Sequence, residues 1–132
     1  MNFTGARLFS KNHIWVQSES GTYSKVLGVT NYALDNLGDI KCIAFEESVE
    51  IDSIVQEGQT VFSLESAKSS LEFISPVAGE LVQINPALDA NPQIINKSPE
   101  NEGWILRLRL KEAQLPTSLM TQEKYNEYLK GI

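Results

Sequence analysis

Few side chains in this 132-residue chain can do chemistry of their own. One histidine, His13, and one cysteine, Cys42, are its whole supply of imidazole and thiol, too few for a metal cluster or for a catalytic constellation built on either group. No glycine-rich motif of the kind that cradles phosphate is present. His13 precedes the apolar stretch around Trp15 and reads as packing at a strand start beside it. Cys42 lies among Ile40, Ile43 and Phe45 and reads as a buried core thiol rather than a reactive one, since free cysteine is among the most buried residue types. Being alone, it can form no internal disulfide.

The remaining candidate is a lysine. Residues 60 to 76 read Thr-Val-Phe-Ser-Leu-Glu-Ser-Ala-Lys-Ser-Ser-Leu-Glu-Phe-Ile-Ser-Pro. Folded about the Ala67-Lys68 bond, this segment sets Leu64 opposite Leu71, Phe62 opposite Phe73 and Ser66 opposite Ser69, so a hairpin register follows from side chains alone. Ala67 and Lys68 are then its tip. Tight two-residue turns ordinarily take asparagine or glycine because they require positive φ, and Ala-Lys departs from that preference. A lysine at a rigid tip projects its amine clear of the sheet, where an enzyme can enclose it and form an amide that removes its charge. On residue type alone a solvated surface lysine is the commoner outcome, and the hairpin does not by itself decide between the two.

The elements that must position this tip are short. His13 to Gln17, Tyr23 to Val29, Ile40 to Phe45, Thr60 to Glu65, Leu71 to Ser75, Glu80 to Ile84 and Trp104 to Leu110 read as strands between turn residues. In the last, Ile105 and Arg107 alternate against Leu106, Leu108 and Leu110, the pattern of a half-buried antiparallel strand. Three helical pieces interrupt them. One runs from a Thr30 cap through Ala33, Leu34 and Leu37 to Gly38, expected to close it in the left-handed conformation. Another lies near Pro86 to Ala90, and the third starts at Thr121 and buries Tyr125, Tyr128 and Leu129 at helical spacing. Without long helical crossovers, many short strands make a mainly β fold, a sandwich or barrel.

At this length, with 42% hydrophobic residues, the chain is expected to form one domain over residues 1–132. The formal charge of −6 argues against nucleic acid and anionic membrane, both of which demand a basic surface. Met1 to Lys11 has neither the apolar run of a secretory signal nor an arginine-rich targeting pattern, and no stretch reaches transmembrane length. A reducing compartment, most simply the bacterial cytoplasm, is the expected location.

Around the hairpin the chain resembles the glycine cleavage H protein family, in which Glu-Ser-x-Lys at a β-turn and a following Ser-Pro-Val-x-Gly mark a lipoylated lysine. The matching positions are Glu65, Ser66, Lys68, Ser75, Pro76, Val77 and Gly79. His13 and Trp15, then Gly28, Val29, Thr30, Ala33, Leu37, Gly38 and Asp39, resemble the family's Gly-Ile-Thr segment. Downstream, Val82, Asn85, Ala87, Leu88, Pro92, Ile94, Ile95, Asn96, Pro99, Gly103 and Trp104 follow its Asn-x-Ala-Leu run and Gly-Trp strand entry. The resemblance spans about residues 8 to 130. Two departures fall in expected loops: Phe45 to Asp52 carries about three extra residues, and Glu100 with Asn101 replaces the family's Tyr-Gly.

The resemblance implies a lipoyl-type β sandwich, a barrel-sandwich hybrid with a C-terminal helix, and lipoic acid attached to Lys68. It implies a non-catalytic shuttle carrying the aminomethyl intermediate of glycine between glycine decarboxylase, aminomethyltransferase and dihydrolipoamide dehydrogenase. A lipoate ligase or lipoyl transferase would load it, with Glu65 either assisting that enzyme or serving as an ordinary surface charge. An H-like relay passing lipoate to other proteins is the alternative. A biotinyl carrier would flank its lysine with methionines, where this chain has Ala67 and Ser69. A purely structural β domain without modification is the remaining reading.

Overall fold

In a computed structural model, residues 3–20, 23–110 and 115–132 are described. Two antiparallel sheets form the body. The larger has the order β1-β2-β3-β9-β8-β5, built from Phe3–Phe9 (β1), Ile14–Glu19 (β2), Ser24–Val29 (β3), Ile54–Val55 (β5), Gly79–Ile84 (β8) and Leu106–Arg109 (β9). The smaller has the order β4-β6-β7, from Ile40–Phe45 (β4), Thr60–Ser66 (β6) and Ser70–Ile74 (β7). The helices are Asn31–Leu37 (α1), Ala87–Ala90 (α2), Ile94–Lys97 (α3) and Gln122–Lys130 (α4). Among them, none is long and apolar enough to cross a membrane.

The main core lies between the two sheets, where Val16, Leu27, Leu81, Leu106 and Leu108 meet Ile40, Phe62, Leu64 and Phe73. Both faces of the larger sheet are covered near β2 and β3. Their alternate residues Trp15 and Val26 join Phe9, Trp104, Met120 and Tyr125 in a second apolar cluster to which the C-terminal helix contributes. Burial on both faces explains why these strands read as nearly continuous apolar runs. Tyr125 stacks on Phe9 at 4.7 Å, and its hydroxyl lies 2.8 Å from both Thr30 Oγ1 and His13 Nδ1. Since Thr30 Oγ1 also accepts from Ala33 N, the cap of one helix is tied to the side of another.

Two asparagines fasten the irregular segment between β8 and β9. Asn85 Nδ2 donates to the carbonyls of Glu102 and Trp104 while its Oδ1 accepts from Ala87 N. Asn96 brackets Ile40, accepting from its N–H and donating to its carbonyl. Each supplies partners to backbone groups that would otherwise lack them.

All seven expected strands form, with ends shifted by a residue or two. Three elements were not expected. β1 hides its alternation behind a register shift between Thr4 and Leu8, at Gly5 with φ of 72°. β5 is only two residues long, and α3 is a single turn following α2. Gly38 takes positive φ as expected, but with ψ of −164° it is extended rather than left-handed helical. In α4, Tyr125 is buried while Tyr128 and Leu129 are half-buried.

The expectation of a buried Cys42 is corrected: the residue is exposed. β4 is an edge strand, and on this three-stranded sheet Ile43 and Phe45 lean toward the core while Cys42 and Ala44 point to the other face. Apolar neighbours signalled a core strand correctly but not which side of the pleat faced inward.

Candidate functional site

The hairpin forms in the register its side chains dictate, with Leu64 paired to Leu71, Phe62 to Phe73 and Glu65 to Ser70. Its base is embedded. Phe62, Leu64 and Phe73 are inaccessible to solvent, Phe62 and Phe73 stack at 5.2 Å, and Phe45 meets Phe62 edge-on at 6.1 Å. Toward the tip the core thins, so that Leu71 is already 36% exposed and Glu65, Ala67, Lys68, Ser69 and Ser70 are all exposed. A stiff base and a bare tip follow from one gradient of burial along two strands.

Ala67 and Lys68 occupy the bend. Neither has positive φ; among the described non-glycine residues only His13 and Asp52 do. The apparent conflict between Ala-Lys and a tight turn is thereby removed, because this bend does not demand the left-handed region. Ser66 closes it instead. Its N–H donates to Ser69 O at 2.8 Å, and its hydroxyl accepts from Ser69 N at 3.2 Å and from Lys68 N at 3.4 Å while lying 3.3 Å from Ser69 O. The sequence identified Ser66 only as a cross-strand partner and motif member; a serine immediately before a two-residue connection is the signal for this role.

The amine of Lys68 has no ion-pair or hydrogen-bond partner among the described residues, and its neighbours at the tip are small. An acyl group in amide linkage therefore fits without displacing any contact. Beyond the hairpin, Asn12 Oδ1 accepts from Ile74 N at 2.6 Å, pinning the far end of β7 to the turn before β2. In the Ser-Pro-Val turn, buried Ser75 donates to Val77 O and accepts from Val77 N.

Other expected positions fall elsewhere. His13 stands at the start of β2 with φ of 67°, away from the hairpin tip in sequence and in bonding: its ring neighbours are Tyr32, Tyr125 and Tyr128. Partial burial lowers its pKa below the ordinary imidazole value, and burial pushes the Tyr125 phenol up to about 12. Glu65 faces Cys42 across β4 and β6, where the thiol donates to its carboxylate at 3.2 Å. That bond, ahead of desolvation, raises the thiol pKa above its ordinary value. Among the described residues no cluster of His, Cys, Asp and Glu is arranged to hold a metal ion.

Both departures from the family pattern lie in loops, the first beginning at Phe45, the last residue of β4. Val49 anchors the acidic loop by burial, and Asp52 N donates to Leu81 O. Glu100 pairs with Arg7 at 3.5 Å and accepts from Asn31 N at 2.8 Å, giving α1 a carboxylate at its first turn.

Residues 7–132 match the family described as Glycine cleavage H-protein. A glycine cleavage system H protein from Listeria innocua is 37% identical over 122 residues, covering 92% of this chain and 94% of that one. One from Thermus thermophilus is 35% identical over 131 residues, covering 99% and 98%. The crystal structure of a glycine cleavage system H protein from Mycobacterium marinum has the same fold, with a TM-score of 0.80 over 98% of this chain and 99% of that one at 24% identity. Sequence, fold and hairpin agree, and the chain belongs to the glycine cleavage H-protein family.

Proposed function

We propose that Lys68 carries a lipoyl group in amide linkage and that the chain, one carrier domain over residues 1–132, is a non-catalytic shuttle of the glycine cleavage system. The observation that carries this reading is an exposed amine, without a hydrogen-bond or ion-pair partner among the described residues, at the tip of a hairpin with an embedded base, in a chain of this family. Its partners are glycine decarboxylase, aminomethyltransferase and dihydrolipoamide dehydrogenase, with a lipoate ligase or lipoyl transferase acting first, and its location is the cytoplasm.

Once attached, the lipoyl group supplies a reversible disulfide–dithiol couple on a long tether, which keeps bound cargo at high effective concentration near successive enzymes. The chain's own residues do the rest. Lys68 is the anchor. Phe62, Leu64 and Phe73 hold the anchor's strands in one register, so the tether pivots from a fixed point. Glu65, by accepting the Cys42 thiol hydrogen, lowers the thiolate fraction that could exchange with a disulfide attached at the tip.

Incubation with a glycine decarboxylase and labelled glycine tests the reading. Protein isolated from lipoate-supplied cells should support release of labelled carbon dioxide in proportion to the carrier added, and unmodified protein should support none. Lipoylated protein that supports none would favour a lipoate relay.

A further inference from the structure

Two-residue hairpin connections usually rely on positive φ to match the twist of their strands, and turns without it let the strands splay. The Ala67-Lys68 connection has no positive φ, yet β6 and β7 stay paired up to Glu65 and Ser70. Beyond that pair, the bonds that close the bend all involve Ser66. A serine hydroxyl offers one donor and two acceptor positions. Here Ser69 N and Lys68 N occupy the acceptors and Ser69 O takes the donor. One of those bonds ends on the main chain of Lys68 itself, so the hydroxyl fixes the direction in which the lysine leaves the backbone.

We propose that Ser66 is a positioning residue for acylation of Lys68, presenting the turn to the lipoylating enzyme already in its reactive shape. This inference rests on the carrier reading given above. In the reaction, the neutral Lys68 amine attacks the carbonyl carbon of a lipoyl adenylate formed by the ligase from lipoate and ATP. The C–N amide bond forms, the acyl–phosphate C–O bond breaks, AMP leaves with the electron pair, and the amine proton passes to solvent. An enzyme meeting a floppy tip must order it on binding, which weakens productive encounter, whereas a preformed tip avoids that loss. The bonds lie at the end of the hairpin, between half-buried Ser66 and exposed Lys68 and Ser69, so their removal acts on the tip and little on the body.

The test compares wild type, Ser66→Ala, Ser66→Thr and Lys68→Arg as full-length substrates of a lipoate ligase with lipoate and ATP. For Ser66→Ala the expected result is a kcat/KM lower by about five- to tenfold, the scale of one or two lost hydrogen bonds. The loss should sit in KM for the carrier, with kcat close to wild type and the melting temperature unchanged. Ser66→Thr, which keeps the hydroxyl, should restore KM. An unchanged KM for Ser66→Ala, or a threonine variant as poor as alanine, overturns the proposal. Wild type that accepts no lipoyl group, like Lys68→Arg, would instead overturn the carrier reading.

Discussion

Phe73→Ala and Leu71→Ala remove inward-leaning side chains from the same strand, two positions apart, yet the burial gradient along the hairpin assigns them very different costs. Phe73 is inaccessible and stacked on Phe62, so its truncation leaves an enclosed void and destroys an aromatic pair. Truncations of this kind cost about 3–5 kcal/mol, within which the pair contributes about 0.5–1.5. Leu71 is 36% exposed and lies where the core ends, so its loss opens to water and removes only part of a leucine's burial, about 1 kcal/mol. With a urea slope of about 2 kcal/mol per molar, within the usual range for small proteins, the midpoint should fall by about 2 M for Phe73→Ala and about 0.5 M for Leu71→Ala. Intrinsic fluorescence can follow the transitions, because Trp15 and Trp104 sit in the other apolar cluster and report global unfolding. Equal shifts for the two variants would refute the picture of an embedded base and a protruding tip, as would a Phe73→Ala shift under 0.5 M.

Gly28→Ala should destabilise by about 2–4 kcal/mol, since a methyl group there would lie 2.6 Å from Trp15 Cε2 and Cζ2, and the buried indole would have to move from its 3.0 Å bond to Pro99 O; urea titration with the tryptophan emission maximum checks both effects. Stability should also depend on pH at both ends. The lowered pKa of His13 means the folded state prefers neutral imidazole, so its contribution is present above the unfolded value near 6.5 and is lost as pH falls through the folded value; His13→Asn, which tolerates positive φ, should flatten the change measured between pH 7 and 5. Tyr125, raised to about 12, contributes stability present below its unfolded value near 10 and lost as pH rises toward 12, and Tyr125→Phe should remove that alkaline loss.

The hairpin was legible because its two strands carry matched apolar residues on either side of a short connection, and cross-strand pairing leaves one register that buries them. The caps at Thr30 and Thr121 were legible for a comparable reason: a hydroxyl before a helical pattern has one common use, and both accept from an N–H of the first turn. Elements whose existence depends on distant partners were not. β5 is two residues that become a strand only by pairing with Glu80 and Gly79, and β1 is interrupted at Gly5 before it reaches Trp15. Cys42 shows the same limit at one residue, since its outward direction is set by which face of β4 the larger sheet happens to cover. At the proposed site, the placement of Ala67 and Lys68 at the hairpin tip could be read from the flanking strands, whereas the hydrogen bonds of Ser66 across the bend emerged only with its backbone conformation.

The carrier role proposed for this chain depends on one amine, Lys68 Nζ, anchoring a lipoyl group. Intact mass of the protein purified from lipoate-supplied cells, beside its Lys68→Arg variant, tests it most directly, because arginine keeps charge and reach but cannot form the same amide. The wild type should be heavier than its sequence by one lipoyl group and the variant should match its sequence. A lipoyl increment retained in the variant, or absent from the wild type, would show that Lys68 is not the anchor.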